Sequence, residues 1–543
     1  LFAISTIHSF VWSLIQGFNH DIRAWLKVNI AVDVAEIKEA QAKGRKGSLA
    51  AADRDQKILA TQKRLDGLDT ITKFIYSPTG ENRTRDSLNH AEVIKIGAAF
   101  LNTKPLMQQL LVCNFPVLLI DESQDTNKLL MNAFFTVQAA NRSSFCLGLI
   151  GDTMQRIYSD GKSDLGLNLP ADWKKPSKEM NHRCPHRVIK LINKIRAEVD
   201  NQNQTGRNDA DEGHVRFFIA PSNNSDKLEC EQRVRQRMAT LSGDNDWHSA
   251  AHVKTLILEH HMAAQRMGFL DMFKPLDAEG SYKTGLRDGS LPLLGFFSKL
   301  VLPLVNAKQA RNEFAVAALV REESPLLSKQ ILSAEGTDQA AQIAAAKAGV
   351  EALMALFAAD AQPTFLAVLK SVAHSKLFAI PETLLPFVSD ESAFAPLTDT
   401  HDPADEERAS KTLATVRSFL DTPFSQTKPY SEYVRDESPF ATHQGVKGLE
   451  FPRVVVILDD EAAGGFLFNF EKLFGAKGKT AADFKNEQAG TETGIDRTRR
   501  LLYVTCSRSQ RSLALIAYSS DPAKVRDTLL KQGWFEDGEV ELL

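Results

Sequence analysis

Two adjacent carboxylates, Asp121 and Glu122, stand at the end of the apolar run Phe115-Pro116-Val117-Leu118-Leu119-Ile120 and lead into Ser123-Gln124-Asp125-Thr126. An apolar run of this length, bounded by a proline and an acid, predicts a buried parallel strand. Sheets of this kind hold their ligands at the carboxyl ends of their strands, which is where this pair is delivered. One carboxylate can hold Mg2+ through water. The next can orient and deprotonate an attacking water molecule. A bare Asp-Glu pair more often ends a solvated strand, but Gln124 and Asp125 in tandem with it favour chemistry.

The elements that must position such a pair follow along the chain. A second apolar strand is expected at Phe145–Ile150, ending at Gly151-Asp152, and a first one at Leu1–Ile4. Helical pattern fills residues 21–105, with a small basic cluster at Lys43, Arg45 and Lys46, and resumes from Arg187 to Glu198. Residues 200–213 read as a loop. Strands are expected at 214–220, 252–258, Val454–Leu458 and Ser512–Ala517. Between them lies a long helical region, about 262–420, with an Ala-rich stretch at 339–360 and an acidic linker at His401–Glu407. Strands alternating with helices imply parallel α/β layers, so the fold class is α/β: two cores, each interrupted by a mainly helical insertion.

Composition narrows the function. The 543 residues allow roughly three to five domains, or two cores with large insertions. Hydrophobic residues make up 43% and charged residues 24%, enough apolar material to exclude global disorder. A formal net charge of −3 excludes a polybasic binder but not a local basic groove. Five arginines against one acid in Asp496–Arg511 suggest such a face. The five cysteines, 113, 146, 184, 230 and 506, contain no CxxC pair, which argues against a zinc ribbon and fits reduced thiols in a cytoplasmic protein. No apolar run approaches the roughly 18–20 residues of a membrane span.

Asp121-Glu122-Ser123-Gln124-Asp125-Thr126 resembles motif II of superfamily 1 DNA helicases of the UvrD/Rep/PcrA type. Five further blocks stand in the family's order. Thr6-Ile7-His8-Ser9-Phe10 resembles its TxHSF block, and Gly151-Asp152-Thr153-Met154-Gln155-Arg156-Ile157-Tyr158 resembles motif III. Asn181-His182-Arg183-Cys184 resembles motif IV, Thr442–Phe451 motif V, and Arg499–Arg508 motif VI. The resemblance implies two RecA-like parallel-sheet domains with ATP between them. The first would comprise 1–20 and 106–180 with its insertion at 21–105. The second would comprise 181–261 and 421–543 with its insertion at 262–420.

The resemblance also implies roles. Asp121 would hold Mg2+ and Glu122 would be the base. Gln155 would bond the γ-phosphate or the attacking water. Arg183 and Arg508 would offer planar donors to phosphate oxygens as charge spreads in the transition state. His182, Gly448 and Glu450 would contact the nucleotide, Glu450 at a ribose hydroxyl. Thr6, His8, Ser9, Tyr158, Thr442 and His443 would lie along single-stranded DNA, whose sequence-blind binders combine phosphate donors with aromatic platforms.

Three departures stand out. No GxxxxGK[ST] loop occurs in the 543 residues, so a chain cut upstream is expected, and the fragment alone is expected to bind ATP poorly. Motif III continues as Ser159-Asp160-Gly161-Lys162, without the aromatic of its relatives. His182 stands where a tyrosine commonly stacks on adenine. The leading expectation is an ATP-dependent DNA translocase and helicase, moving 3′→5′ on single strands and at single-strand/duplex junctions. The alternative is a motor or nucleotide-switch subunit of a DNA repair or phage-defence complex, with a separate nuclease or repair-protein partner.

Overall fold

Val454-Val455-Val456-Ile457-Leu458 is an unbroken, largely β-branched run, and every one of these side chains is buried. Such a run suits a strand covered on both faces. It belongs to Phe451–Leu458, a central strand of a six-stranded, all-parallel sheet. The strand order is Val540–Leu542, His214–Pro221, Ser509–Ser519, Phe451–Leu458, Lys254–Ile257, Phe440–Thr442. Val454 is in register with Leu513 on one side and Lys254 on the other, and Val456 with Leu515 and Leu256.

The computed structural model describes residues 2–44, 49–77, 86–158, 160–162, 164–166, 169–200, 202–224, 226–334, 338–358, 361–388, 403–465 and 467–543. Two compact units result, Leu1–Ser177 and Lys178–Leu543. The second contains the six-stranded sheet. The helices from His260–Met267 to Thr427–Val434 run between two neighbouring strands of that sheet, Lys254–Ile257 and Phe440–Thr442. They close over rings of their own: Phe297 lies 4.9 Å from Phe365, which lies 4.5 Å from Phe419. Lys283–Gln309 is the one described stretch long and apolar enough to cross a membrane by composition, and half of its apolar window is buried in this helical block.

The first unit has a smaller sheet, Val117–Ile120 parallel to Cys146–Leu149. Its core is helical. Phe10 and Val11 of helix Ile7–Ile15 turn inward, with Phe10 centred 5.1 Å from Phe115 and 6.4 Å from Phe134. Helix His90–Thr103 starts at a capping box between Asn89 and Glu92, and its Gly97 lets Val11 pack where a Cβ would collide.

Several expectations change. Residues 2–6 form no regular structure, and Phe2 and Ile4 are fully exposed. A strand needs a neighbour to take its backbone hydrogen bonds, and none pairs there among the described residues. The Val117–Ile120 strand exists but is not buried on both sides: Val117 and Leu119 are exposed, while Ile120 is buried. Thr205–Gly206, expected as loop, pairs with Met180–Asn181. Helix Pro403–Leu420 begins inside the expected acidic linker, whose residues 401 and 402 lie outside the described residues, as do Arg45 and Lys46 of the basic cluster. The short edge strand Val540–Leu542 was not expected.

Candidate functional site

In the first unit the two strands end side by side and are laced together beyond their last pairs. The Ile150 amide donates to the Ile120 carbonyl at 2.9 Å, and the Ser123 amide donates to the Ile150 carbonyl at 3.0 Å. The chain turns sharply between them. Glu122 sits in the left-handed region at φ 48°, a conformation that costs a non-glycine residue free energy and collects at functional turns. Its amide donates to Asp121 Oδ1 at 2.9 Å. The Gln124 side-chain amide donates to the Glu122 carboxylate. Gln124 itself is buried, and its oxygen has no hydrogen-bond partner among the described residues.

Gly151 makes room for this arrangement, because a Cβ there would overlap the Gln124 side-chain oxygen. Asp125 Oδ1 accepts from the Ile157 amide at 3.3 Å. Asp152 caps the turn Thr153–Gln155, accepting from the Met154 amide at 3.0 Å. The carboxylate block and the Gly151–Tyr158 block are thus one hydrogen-bonded assembly, with Asp121 exposed and Glu122 and Gln155 half-buried. Among the described residues no three His, Cys, Asp or Glu side chains gather to cage a metal. The hard oxygens of Asp121 and Glu122 fit Mg2+, which takes one or two carboxylates together with water and phosphate.

Thr6 caps helix Ile7–Ile15. Its hydroxyl accepts from the Ser9 amide at 3.3 Å and donates to the Ser9 hydroxyl at 3.0 Å, and both residues are exposed. His8 stands 4.3 Å from His90, ring centre to ring centre. Burial lowers the His8 pKa, His90 lowers it further, and Asp160 opposes both. Tyr158 is 45% exposed, and its hydroxyl pKa is raised by burial and then by Asp125 and Asp160.

The second unit assembles its own cluster. Asn181 Oδ1 accepts from the amides of Arg183 and Cys184 at 2.9 and 2.8 Å and so fixes the turn. Arg183 Nε donates to Glu450 Oε2 at 2.8 Å, and its Nη1 to the Ser507 carbonyl at 3.3 Å. Gln510 Nε2 donates to the other Glu450 oxygen at 2.8 Å. The bond from Arg183 holds the Glu450 carboxyl below its usual pKa, with Gln510 and Arg508 adding to the effect. Cys184 is buried against the Ser507 carbonyl, and burial pushes its thiol up to about 11. His182 is exposed. Gly448 has φ +77° and open space where a Cβ would be. Thr442 is half-buried, its hydroxyl accepting from the Gly445 amide at 3.0 Å.

Two expectations, the His443 contact with DNA and an open basic face, fail on burial and pairing, and Arg508 proves to be braced inside the fold. His443 is fully buried: its amide extends the sheet to the Ile257 carbonyl at 2.7 Å, and its ring packs edge-on to Phe470. Its side chain does not face solvent, so a direct DNA contact is corrected to a core position. Arg508 is 1% exposed, and its guanidinium donates to the Val504 carbonyl at 3.0 Å, the Leu449 carbonyl at 3.3 Å and the Ser507 hydroxyl at 2.8 Å. The basic face of Asp496–Arg511 is largely neutralised. Arg499 pairs with Glu198 at 2.8 Å and Asp496 at 3.1 Å, and both Arg497 and Arg500 pair with Glu492. Sequence reasoning missed Gln510 and Ser507, which hold Glu450 and Arg183. Nothing in residue type marks them.

Residues 36–167, which include the carboxylate and Gly151–Tyr158 blocks, match the family described as UvrD/REP helicase N-terminal domain. The chain is also similar to the Gabija protein GajB of Bacillus cereus (strain HuB5-5), at 22% identity over 454 residues, 79% of this chain. It spans 62% of that relative's length. Six blocks in the family's order, two of them within this match, make the chain similar to UvrD/REP helicases, and its residues 36–167 match their N-terminal domain.

Proposed function

We propose that this chain is the motor of an ATP-driven DNA translocase and helicase, moving 3′→5′ on single-stranded DNA and opening single-strand/duplex junctions. The observation that carries the reading is the laced turn, in which Gln124 holds the Glu122 carboxylate at the joined ends of two parallel strands. A base held this way takes a proton from water with no rearrangement of its own. Gln155 orients that water or the terminal phosphate. Asp121 would hold Mg2+, which neutralises phosphate charge when bound. In the second unit Arg183, steered by Glu450, offers a planar donor pair to phosphate oxygens, and Glu450 has lone pairs left for a ribose hydroxyl. His182 and Gly448 border the nucleotide. Thr6, Ser9, Tyr158 and Thr442 serve the strand. Such a motor works on DNA in the cytoplasm.

The test is strand displacement by the full-length protein, with ATP and Mg2+, on duplexes carrying a 3′ or a 5′ single-stranded tail. Displacement of the 3′-tailed duplex only, together with DNA-stimulated ATP hydrolysis, is expected. No DNA stimulation of hydrolysis overturns the reading. A second reading keeps the motor but assigns it to a repair or phage-defence complex with a separate nuclease partner, translocating or switching without unwinding. The likeness to a Gabija protein favours it, as does Ser159-Asp160-Gly161-Lys162 in place of an aromatic after Tyr158. Hydrolysis stimulated by single strands without displacement would select this second reading.

A further inference from the structure

The two oxygens of the Glu450 carboxylate have different owners. Arg183 Nε donates to Oε2 and Gln510 Nε2 donates to Oε1, each at 2.8 Å. Gln510 reaches the carboxylate from a bulge at the start of strand Ser509–Ser519. Phe451 is in register with Ser509 and Arg453 with Ser512, so Gln510 and Arg511 stand against Pro452 alone. Pro452 has no N–H for the ladder, which suits an interruption there. Bulges re-aim side chains beside sites, and here the Gln510 amide turns to Glu450. A guanidinium meets a carboxylate best at two points, and three other arginines of this unit do so. Arg187 on Glu539, Arg196 on Asp200 and Arg453 on Asp244 each give Nε to one oxygen and Nη2 to the other. Arg183 does not. Its Nη1 donates to the Ser507 carbonyl at 3.3 Å, and its Nη2 has no protein partner among the described residues. The oxygen that would complete the fork is the one that Gln510 holds. The three forked side chains are at most 7% exposed, whereas Arg183 keeps 28%, so its remaining donor is accessible to a ligand.

We propose that Gln510 is a positioning residue: by taking Glu450 Oε1 it blocks the two-point fork and reserves Arg183 Nη2 for the terminal phosphate of the nucleotide. This inference rests on the function proposed above and adds to it the residue that keeps Arg183 available. Without Gln510, Oε1 is unclaimed, and the carboxylate turns it to Nη2 in a charge-assisted bond stronger than the one lost. Both donors on that edge of the guanidinium then serve Glu450, and the phosphate loses one of them. A neutral amide suits the task. It does not draw the carboxylate away from Arg183 as a cation would, and it adds no negative charge to repel a phosphate.

The experiment measures DNA-stimulated ATP hydrolysis by the full-length protein and its variants. Gln510→Ala should lower kcat by about tenfold or more, because a donor displaced by about 1 Å misses the phosphate, while KM for ATP changes little. Gln510→Glu has the same shape but cannot donate at neutral pH, and its kcat should fall at least as far. In a Glu450→Ala background there is no carboxylate to complete a fork, so adding Gln510→Ala should cause no further loss. A glutamine that only braced the strand would cause the same loss in both backgrounds. Binding gives a measurement without turnover. Gln510→Ala should weaken the complex with ADP and aluminium fluoride, a mimic of the phosphoryl group in transit, by about tenfold and leave the affinity for ADP unchanged. Unchanged kcat and unchanged fluoride-complex affinity in Gln510→Ala, or a loss of equal size with and without Glu450, overturns the role of Gln510 and leaves the motor standing. An unaltered protein whose hydrolysis DNA does not stimulate overturns both.

Discussion

Arg183 Nε and Glu450 Oε2 meet at 2.8 Å across 267 positions of sequence. The pair joins the turn after Asn181 to the loop before the central strand Phe451–Leu458. Both side chains are partly exposed, so the pair contributes little to folding, under about 1 kcal/mol. A double-mutant cycle with Arg183→Ala and Glu450→Ala should give a coupling of that size in urea unfolding. The same cycle on kcat/KM for ATP should give a coupling several times larger, because an unsteered guanidinium misses the phosphate. Equal couplings in the two assays would make the pair a surface ion pair and nothing more.

Glu122→Gln preserves shape and removes the base. It should lower DNA-stimulated ATP hydrolysis by about 10²–10⁴-fold while ATP affinity stays within a few-fold of normal. Gln124→Leu removes the amide that holds this carboxylate and should lower kcat by a smaller factor, with KM unchanged. Near-normal turnover in Glu122→Gln removes the residue from the role of base.

Gly151→Ala places a methyl group on the Gln124 side-chain oxygen. Gln124 is buried and has little room to yield, so a destabilisation of about 1–3 kcal/mol is expected for the first unit. Hydrolysis should fall with it, because the displaced amide is the one bonded to Glu122. Gly151→Ala with an unchanged unfolding midpoint would show that the turn opens freely.

Two histidines, His443 buried and His260 half-buried, set an acid limit on stability. Burial pushes the His443 pKa from 6.5 down to about 3 and the His260 pKa down to about 4. Below pH 6.5 the unfolded chain takes up these protons and the folded chain does not. Stability is therefore present in full above pH 6.5 and falls by up to about 1.4 kcal/mol per pH unit for each histidine as pH drops toward those lowered values. His443→Leu should shrink the loss of stability between pH 7.5 and pH 5 by about 2 kcal/mol. Urea midpoints across this range decide it, and an unchanged slope would mean that His443 titrates normally.

The legible parts of this protein were those written in one stretch of chain. The run Val454–Leu458 declares a central parallel strand, and Val117–Ile120 followed by two acids declares a strand that ends in a carboxylate-bearing turn. The illegible parts depend on partners far away in sequence. Arg499 and Arg500 look basic until Glu198 and Glu492 arrive beside them. His443 looks exposed after a short strand, but its position one residue beyond Thr442, at the sheet's edge, turns it into the core. Phe2 and Ile4 belong to an apolar run that reads as a strand, yet no neighbour pairs with them among the described residues.

Arg508 has two demands on one guanidinium, and they separate by experiment. It is buried, and its three donated bonds tie the end of helix Gly494–Cys506 to the Leu449 carbonyl. Removing it leaves buried acceptors unmet, so Arg508→Ala should destabilise the second unit by about 3 kcal/mol. If the residue also meets phosphate charge in the transition state, DNA-stimulated hydrolysis should fall by about 10³-fold or more even at temperatures where the variant is folded. ATP affinity should fall much less, since such a contact strengthens as charge develops. Arg508→Lys should rescue little of the rate, because an ammonium lacks the planar fork. Thermal unfolding, ATP affinity, DNA affinity and hydrolysis are measured on one preparation of each variant. A rate that recovers fully in the cold, while the folded protein dominates, makes Arg508 a structural brace. A rate that stays low with ATP and DNA affinity intact makes it a transition-state donor as well. A collapse of DNA affinity with hydrolysis preserved at saturating DNA would assign it to the strand and refute both roles.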